Sequence, residues 1–402
     1  MKILLLSSLF PPETVGGAQL SAWSSAQWLR EQGHDVHVLT CATTRADECS
    51  GASEDNLLIW RRHFPRPYPI SSFSKAKGWK KPLWHALDHF DPRNKKIVAH
   101  VLDEIQPDII FAHYVQGLGY NSLAAIAERD IPVIYFLHDL GLACIRMSMF
   151  KRGADCAGWC NACQWSEKFK EKKVAQVSRI GFCSPSKANL DRLGEYFPLT
   201  RYPHTVILNA NRYPAPTETR RDSDKLRLLY VGRLHETKGI HLLLQWVEPL
   251  AQSGRLSMTV VGGGPLEAKL REQYEQSGWC TFTGFVDQVA VSNHIVDSDA
   301  LCTPSLWLEN SPGVIIHALS LGLPVLGSNK GGIVELVQHN RNGLLLPPGD
   351  EKAWTDALRG LCDNPNALRR WRAHAETNKH IFEQDYLGKK MLDFAEAIMT
   401  AQ

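Results

Sequence analysis

This 402-residue chain lacks several features, and each absence narrows what it does. No apolar run approaches the ~20 residues that cross a bilayer as a helix. Charge is nearly balanced, at 45 Lys and Arg against 42 Asp and Glu, so no basic excess points to nucleic acid. No G-x-G-x-x-G follows the first apolar run, residues 3–6. The glycines there, Gly16 and Gly17, come late. The next apolar run, 36–39, leads into Thr40 and Cys41 rather than an acidic residue, which disfavours a nicotinamide dinucleotide site. No internal repeat or low-complexity tract stands out. The amino-terminal apolar run is too short for a signal peptide and reads as a buried strand. That predicts a cytoplasmic protein, at most held at the inner face of the membrane. In that compartment ten cysteines read as buried thiols or metal ligands rather than a disulfide scaffold.

What is present is an ordinary globular composition, 44% hydrophobic and 22% charged, at a length that calls for two domains. Apolar strands at 3–6, 36–39, 109–112, 133–137, 180–183 and 206–208 alternate with helical patterns. They predict an α/β domain over 1–208, doubly wound and Rossmann-like, with a long irregular insertion at 51–91. Residues 211–224 are rich in proline and charge and read as a linker. The pattern restarts over 225–379, with strands at 226–231, 258–261, 281–283, 300–303, 325–327 and 343–346, and a helical pattern over 380–402 ends the chain. Two such domains are expected to turn the carboxyl ends of their strands toward a central cleft.

The stretch 303–346 is the most informative. Glu309 precedes Asn310, Ser311 and Pro312, and an apolar helical run begins at Gly313 and Val314. Ser311 suits an N-cap and Pro312 a first helical turn. A helix start offers unpaired N–H groups to a phosphate, and a carboxylate beside it accepts sugar hydroxyls. Together they suggest a nucleotide-sugar pocket. Arg233 and Lys238, five residues apart after a strand, are placed to reach one diphosphate. The run Gly262 to Gly264 permits a tight turn and close backbone approach. Gly16 and Gly17 offer room for phosphate or sugar, and His138 ends a strong apolar strand where it would hydrogen-bond a sugar or acceptor. Cys144, Cys156, Cys160 and Cys163 have the four-fold count and final C-x2-C of a structural zinc site; an iron–sulfur cluster and four unliganded thiols are the alternatives. Basic and aromatic residues interleave at 61–85, which suits an anionic membrane surface or a lipid diphosphate.

Five stretches within 226–350 carry a family resemblance: YVGRLHETKGI, VVGGGPLEAKL, FTGFVD, TPSLWLENSPGVIIHALSLGLPVLGSNKGGIVELV and NGLLLPPGD. In order and spacing they resemble the family 4 retaining glycosyltransferases (glycosyl transferases group 1), which have the two-domain GT-B fold. The first half is similar more loosely, through LFPPETVGGAQ and LHD. The resemblance implies an acceptor-binding first domain, a nucleotide-sugar-binding second domain and a last helix that crosses back to the first. It implies that Arg233 and Lys238 bind the donor diphosphate and that Glu309 contacts the donor sugar. The amides of Ser311, Pro312's neighbour Gly313 and Val314 would bind phosphate or sugar. Gly264, Phe285 and Val286 would lie near the nucleotide, Gly17 would approach the diphosphate, and His138 would touch the sugar near its reacting carbon. Relatives carry a second Glu eight residues after the first, where this chain has His317, expected still to face the ribose. The cysteine segment after LHD resembles a subset of bacterial members acting on cell-surface polysaccharides. The implied activity moves a hexose from a UDP- or GDP-linked donor to a glycan or lipid-diphosphate-linked acceptor, with no metal required for catalysis. A nucleotide-sugar epimerase and a nonenzymatic nucleotide-sugar-binding subunit are the alternatives.

Overall fold

In strands β1 (Lys2–Ser7), β2 (Asp35–Cys41), β5 (Ile109–Tyr114), β6 (Val133–Phe136) and β9 (Ile180–Ser184), successive residues are buried almost without alternation. Strands covered on both faces belong inside a parallel sheet. A computed structural model describes every residue except Thr14, Val15, Ser74, Lys75, Arg152, Ala210 and Gln402. It divides into two units. The first is Met1–Met149, Cys156–Asn211 and Gln384–Gln402; the second is Phe150–Asp155 and Arg212–Glu383.

The first unit is an eight-stranded sheet. The insertion expected to be irregular supplies two of its strands, β3 (Cys49–Glu54) and β4 (Leu57–Arg62), and a helix, Lys81–Phe90. With β10 (His204–Val206) at one edge, the order is β10-β9-β6-β5-β1-β2-β4-β3. All pairs are parallel except β3 with β4. Neighbours in sequence part company between β1 and β5, where open sheets of this kind bind ligands beyond their carboxyl ends. The last helix, Gln384–Thr400, belongs to this unit. Trp28 Nε1 donates to Asp385 Oδ1 at 2.6 Å, and a Cβ at Gly388 would lie 2.6 Å from the Trp28 ring, so glycine there lets the helix lie flat on the indole.

A small hairpin, β7 (Phe150–Lys151) with β8 (Ala154–Asp155), groups with the second unit. The expected linker is also part of that unit: Thr217 N donates to Asn293 Oδ1 at 2.8 Å and Ser292 Oγ to the Pro214 carbonyl at 2.7 Å. Six parallel strands follow: β11 (Leu226–Val231), β12 (Leu256–Val261), β13 (Cys280–Gly284), β14 (Ala300–Thr303), β15 (Val325–Ser328) and β16 (Gly343–Leu346). Their order is β13-β12-β11-β14-β15-β16, with the switch point between β11 and β14. Among the described residues no helix is long and apolar enough to cross a membrane.

Candidate functional site

The switch point of the second sheet puts the loops after β11 and β14 side by side. Leu306 N donates to the Thr237 carbonyl at 2.8 Å, tying one loop to the other. Gly239, at φ +70°, ends the short turn Glu236–Lys238, and a Cβ there would lie 2.0 Å from the Pro304 carbonyl oxygen. Only glycine allows that approach. It brings Lys238 onto Glu309.

Glu309 is buried. Lys238 Nζ and Ser305 Oγ each lie 2.6 Å from its Oε1, and Trp307 Nε1 lies 2.8 Å from the same oxygen. Burial pushes the carboxyl up, but the Lys238 charge and the donors from Lys238, Ser305 and Trp307 outweigh it and hold Glu309 below the usual carboxylate range. All three bonds fall on Oε1. Oε2 takes none of them and keeps its lone pairs. Arg233 and Lys238 are therefore not equivalent: Lys238 is engaged with Glu309, whereas Arg233 is exposed after β11.

The helix Gly313–Ser320 starts four residues beyond Glu309. Its N-cap is Pro312, not Ser311, and no side chain caps it. Backbone bonds begin with Ile315 and Ile316 on the Pro312 carbonyl, so the amides of Gly313 and Val314 lie ahead of the helical ladder. Ser311 Oγ is buried without a partner. A hydroxyl and two leading amides at a helix start form a natural cradle for an anion.

The glycine run after β12 first serves the protein. Leu234 N donates to the Gly263 carbonyl, and Gly262 N to the Gly284 carbonyl. A Cβ at Gly264 would lie 2.5 Å from the Leu234 carbonyl oxygen. These bonds sew the ends of β11, β12 and β13 together. Phe285 stands beside them, 84% exposed, an aromatic face available for stacking, and Val286 follows it half-buried.

His317 does not face an open pocket. It is 1% exposed, its ring stacks on Tyr213 at 4.1 Å with an 11° interplanar angle, and Nε2 lies 2.9 Å from Ser292 Oγ. The expectation of a ribose contact is corrected: Tyr213, from the segment read as a linker, covers the ring. Tyr213 also donates to the Gly313 carbonyl at 2.7 Å, which ties it to the helix start. Nothing in the local sequence around His317 announced Tyr213.

In the first unit, His138 follows β6 and pairs with His113 at the end of β5, Nε2 to Nδ1 at 3.0 Å. His113 was missed from sequence because it lies inside an apolar strand, where a histidine reads as core. Burial pushes His138 down to about 4 and holds His113 well below the usual imidazole range, so both rings are neutral at physiological pH. Burial also pushes Asp139 up to about 6. Gly16 and Gly17 are exposed at the start of helix Gly17–Glu31. A Cβ at Gly17 would meet nothing within 4 Å, so protein packing does not demand glycine there. Beyond β1 and β2 lie adjoining cavities of ≈ 60 and ≈ 340 Å³. The smaller is lined by His63, Arg66, Tyr68 and Trp84, and His63 Nδ1, Arg66 Nε and Tyr68 Oη are buried without partners.

The four cysteines do not close into a thiolate site. Cys144 and Cys163 are buried with sulfurs 3.8 Å apart, while Cys160 is exposed and Cys156 half-buried. Among the described residues no group of three or more His, Cys, Asp or Glu is placed to hold a metal ion. Cys163 instead donates to Cys144. That bond, with the amides of Met149, Arg146 and Ser148, holds the Cys144 thiol down to about 5 against its burial. Cys160 precedes the helix Asn161–Val174, and the Cys163 and Ala162 amides help lower its thiol too. Exposed and acidified, Cys160 is expected to be the first cysteine alkylated by iodoacetamide at about pH 6.5. Peptide mapping checks this; labelling at the rate of an ordinary exposed thiol would contradict it.

Two doubly wound units, one with a carboxylate, a lysine and a helix start at its switch point, define the architecture of a GT-B sugar transferase. Comparison with known proteins agrees. Glycosyltransferase Family 4 matches residues 15–210 and Glycosyl transferases group 1 matches 214–378. The chain is 26% identical to a glycogen synthase of Mycobacterium tuberculosis, over 96% of this chain and 92% of that protein. It is 25% identical to an O-antigen chain mannosyltransferase C of Escherichia coli, over 98% and 96%. The Anabaena protein HepE, solved in complex with UDP-glucose, superposes with a TM-score of 0.68 at 17% identity, covering 99% of this chain and 100% of that one. The chain belongs to the family 4 glycosyltransferases, and its relatives include enzymes of polysaccharide biosynthesis.

Proposed function

We propose that this protein transfers a hexose, with retention at the anomeric carbon, from a UDP- or GDP-linked donor to a glycan carried on a lipid diphosphate, at the inner face of the membrane. The observation that carries the reading is Glu309: ionised, held through Oε1 alone, with Oε2 left to accept sugar hydroxyls next to the helix start at Gly313. Arg233, Lys238 and the amides of Gly313 and Val314 would offset the charge that develops on the leaving diphosphate. The acceptor hydroxyl attacks the anomeric carbon from the face the diphosphate leaves. The carbon–oxygen bond to phosphate breaks as the new one forms, and a phosphate oxygen takes the hydroxyl proton. No protein nucleophile is needed. In the first unit, the cavity walled by Tyr68 and Trp84, with unpartnered His63 and Tyr68 groups, suits a sugar of the acceptor. The four-cysteine zinc site is left out of this reading, since among the described residues no group of three or more His, Cys, Asp or Glu is placed to hold a metal ion.

Calorimetry and nucleotide release across UDP- and GDP-hexoses test it. One donor should bind and release its nucleotide slowly, and faster with a glycan acceptor. Interconversion of the donor sugar without release would indicate an epimerase. Binding with no turnover on any acceptor would indicate a nonenzymatic subunit.

A further inference from the structure

Most of the basic and aromatic segment at 61–85 turns inward. Arg61 donates to Glu54 and to the Pro11 carbonyl. Arg66 is buried on Asp88 at 3.1 Å. Tyr68, Phe73 and Trp84 pack on one another, with ring centroids 5.0 to 6.3 Å apart. Ser74 and Lys75 lie outside the described residues. The large apolar side chains it leaves exposed among the described residues are Trp79, 73% exposed, and Leu83, 56% exposed.

Leu83 and Phe90, seven residues apart, share one side of the helix Lys81–Phe90 by spacing, and a distant segment packs on Phe90. The helix Asn161–Val174 lies against the end of the helix Lys81–Phe90, with the Phe90 ring 4.9 Å from Trp165 and 4.7 Å from Phe169. Trp165 is 58% exposed and Phe90 39%. Large apolar side chains exposed together mark an interaction surface.

Lysines rim this face. Lys77, Lys168 and Lys172 are exposed, and Lys80 and Lys173 lie over the rings of Trp79 and Phe169. Residues 165, 168, 169 and 172 share one side of their helix by spacing. The nearby acids are already occupied or hidden: Asp88 pairs with Arg66, Asp91 with Arg93 and Glu171 with Arg201, and Glu167 is buried. The face is therefore apolar at its centre and cationic around it. Its charges are spread rather than focused on one point, which matches a sheet of mobile anionic headgroups.

We infer that this face docks on an anionic bilayer, with Trp79, Leu83, Phe90 and Trp165 at headgroup depth and the lysines against the lipid charge. The inference deepens the reading of a lipid-carried acceptor, because it would hold the first unit where such an acceptor lies. Its test needs no donor, so it can fail while the transferase reading stands, and the reverse.

The test is flotation of the full chain with phosphatidylcholine vesicles, with and without about one third phosphatidylglycerol. The wild type should float only with the anionic vesicles, and less at high salt. Trp79→Ala/Trp165→Ala and, separately, Lys168→Glu/Lys172→Glu should each lower the bound fraction about tenfold. Circular dichroism and donor binding of both variants should match wild type, since all four side chains are exposed. Wild type that stays unbound, or variants that float as wild type does, would overturn the inference. So would a concentration-dependent dimer, seen by sedimentation without lipid and lost in the same variants, which would assign the face to a second copy of the chain.

Discussion

Glu309→Gln is expected to lower kcat/KM on the order of 100-fold with little change in folding. The two side chains have the same shape. An amide oxygen can still accept from Ser305 and Trp307 in the place of Oε1. The NH2 group, however, would occupy the place of Oε2 and donate where the carboxylate accepts. A sugar hydroxyl that donates to Oε2 would then meet another donor. Lys238 would also lose its charged partner and shift the field at the diphosphate. Steady-state nucleotide release, with thermal unfolding measured alongside, checks this. A kcat/KM within about threefold of wild type would remove Glu309 from contact with the sugar.

His317→Glu is expected to cost folding rather than to improve donor binding. The imidazole is sealed by Tyr213 and satisfied by Ser292. Burial pushes its pKa down to about 4, so it is neutral at physiological pH. A carboxylate there would lose the ring stack and bring a charge into a space shaped for a neutral group. That costs several kcal/mol, which lowers the melting temperature by about 10 °C for a unit of this size. Unchanged melting with tighter donor binding would show instead that this position faces the ligand. The same burial gives a pH signature. The folded pKa of His317, like those of His138 and His85, lies at about 4, below the unfolded value of 6.5. The unfolded chain therefore binds more protons in that window. Stability is fully present above about 6.5 and is lost as pH falls toward 4, through each folded pKa. A melting temperature flat from pH 7 to 4 would contradict this.

Much of this was legible in the order of residues. Continuous apolar runs such as 109–112 announced parallel strands because a strand covered on both faces needs no alternation. Glu309, Pro312 and Gly313 stood out because a helix start and a carboxylate carry their chemistry locally. The strand β3 was missed because CSGASE is mostly polar and alternates poorly. It is an edge strand with one paired side, so its sequence is weakly constrained.

The sequence by itself determined the two doubly wound units and the residues at the switch point of the second. Each depends on contacts between neighbours in the chain, or on backbone geometry that a few residues dictate. Only the tertiary structure decided who meets whom across long separations. It set Lys238 on Glu309 rather than free beside Arg233. It covered His317 with Tyr213, paired His138 with His113, and drew Cys144 onto Cys163. It also joined Trp165 to Phe90 on one surface. In each case the partner lies on another strand, helix or loop, and packing of the whole sheet, not local propensity, sets the distance between them.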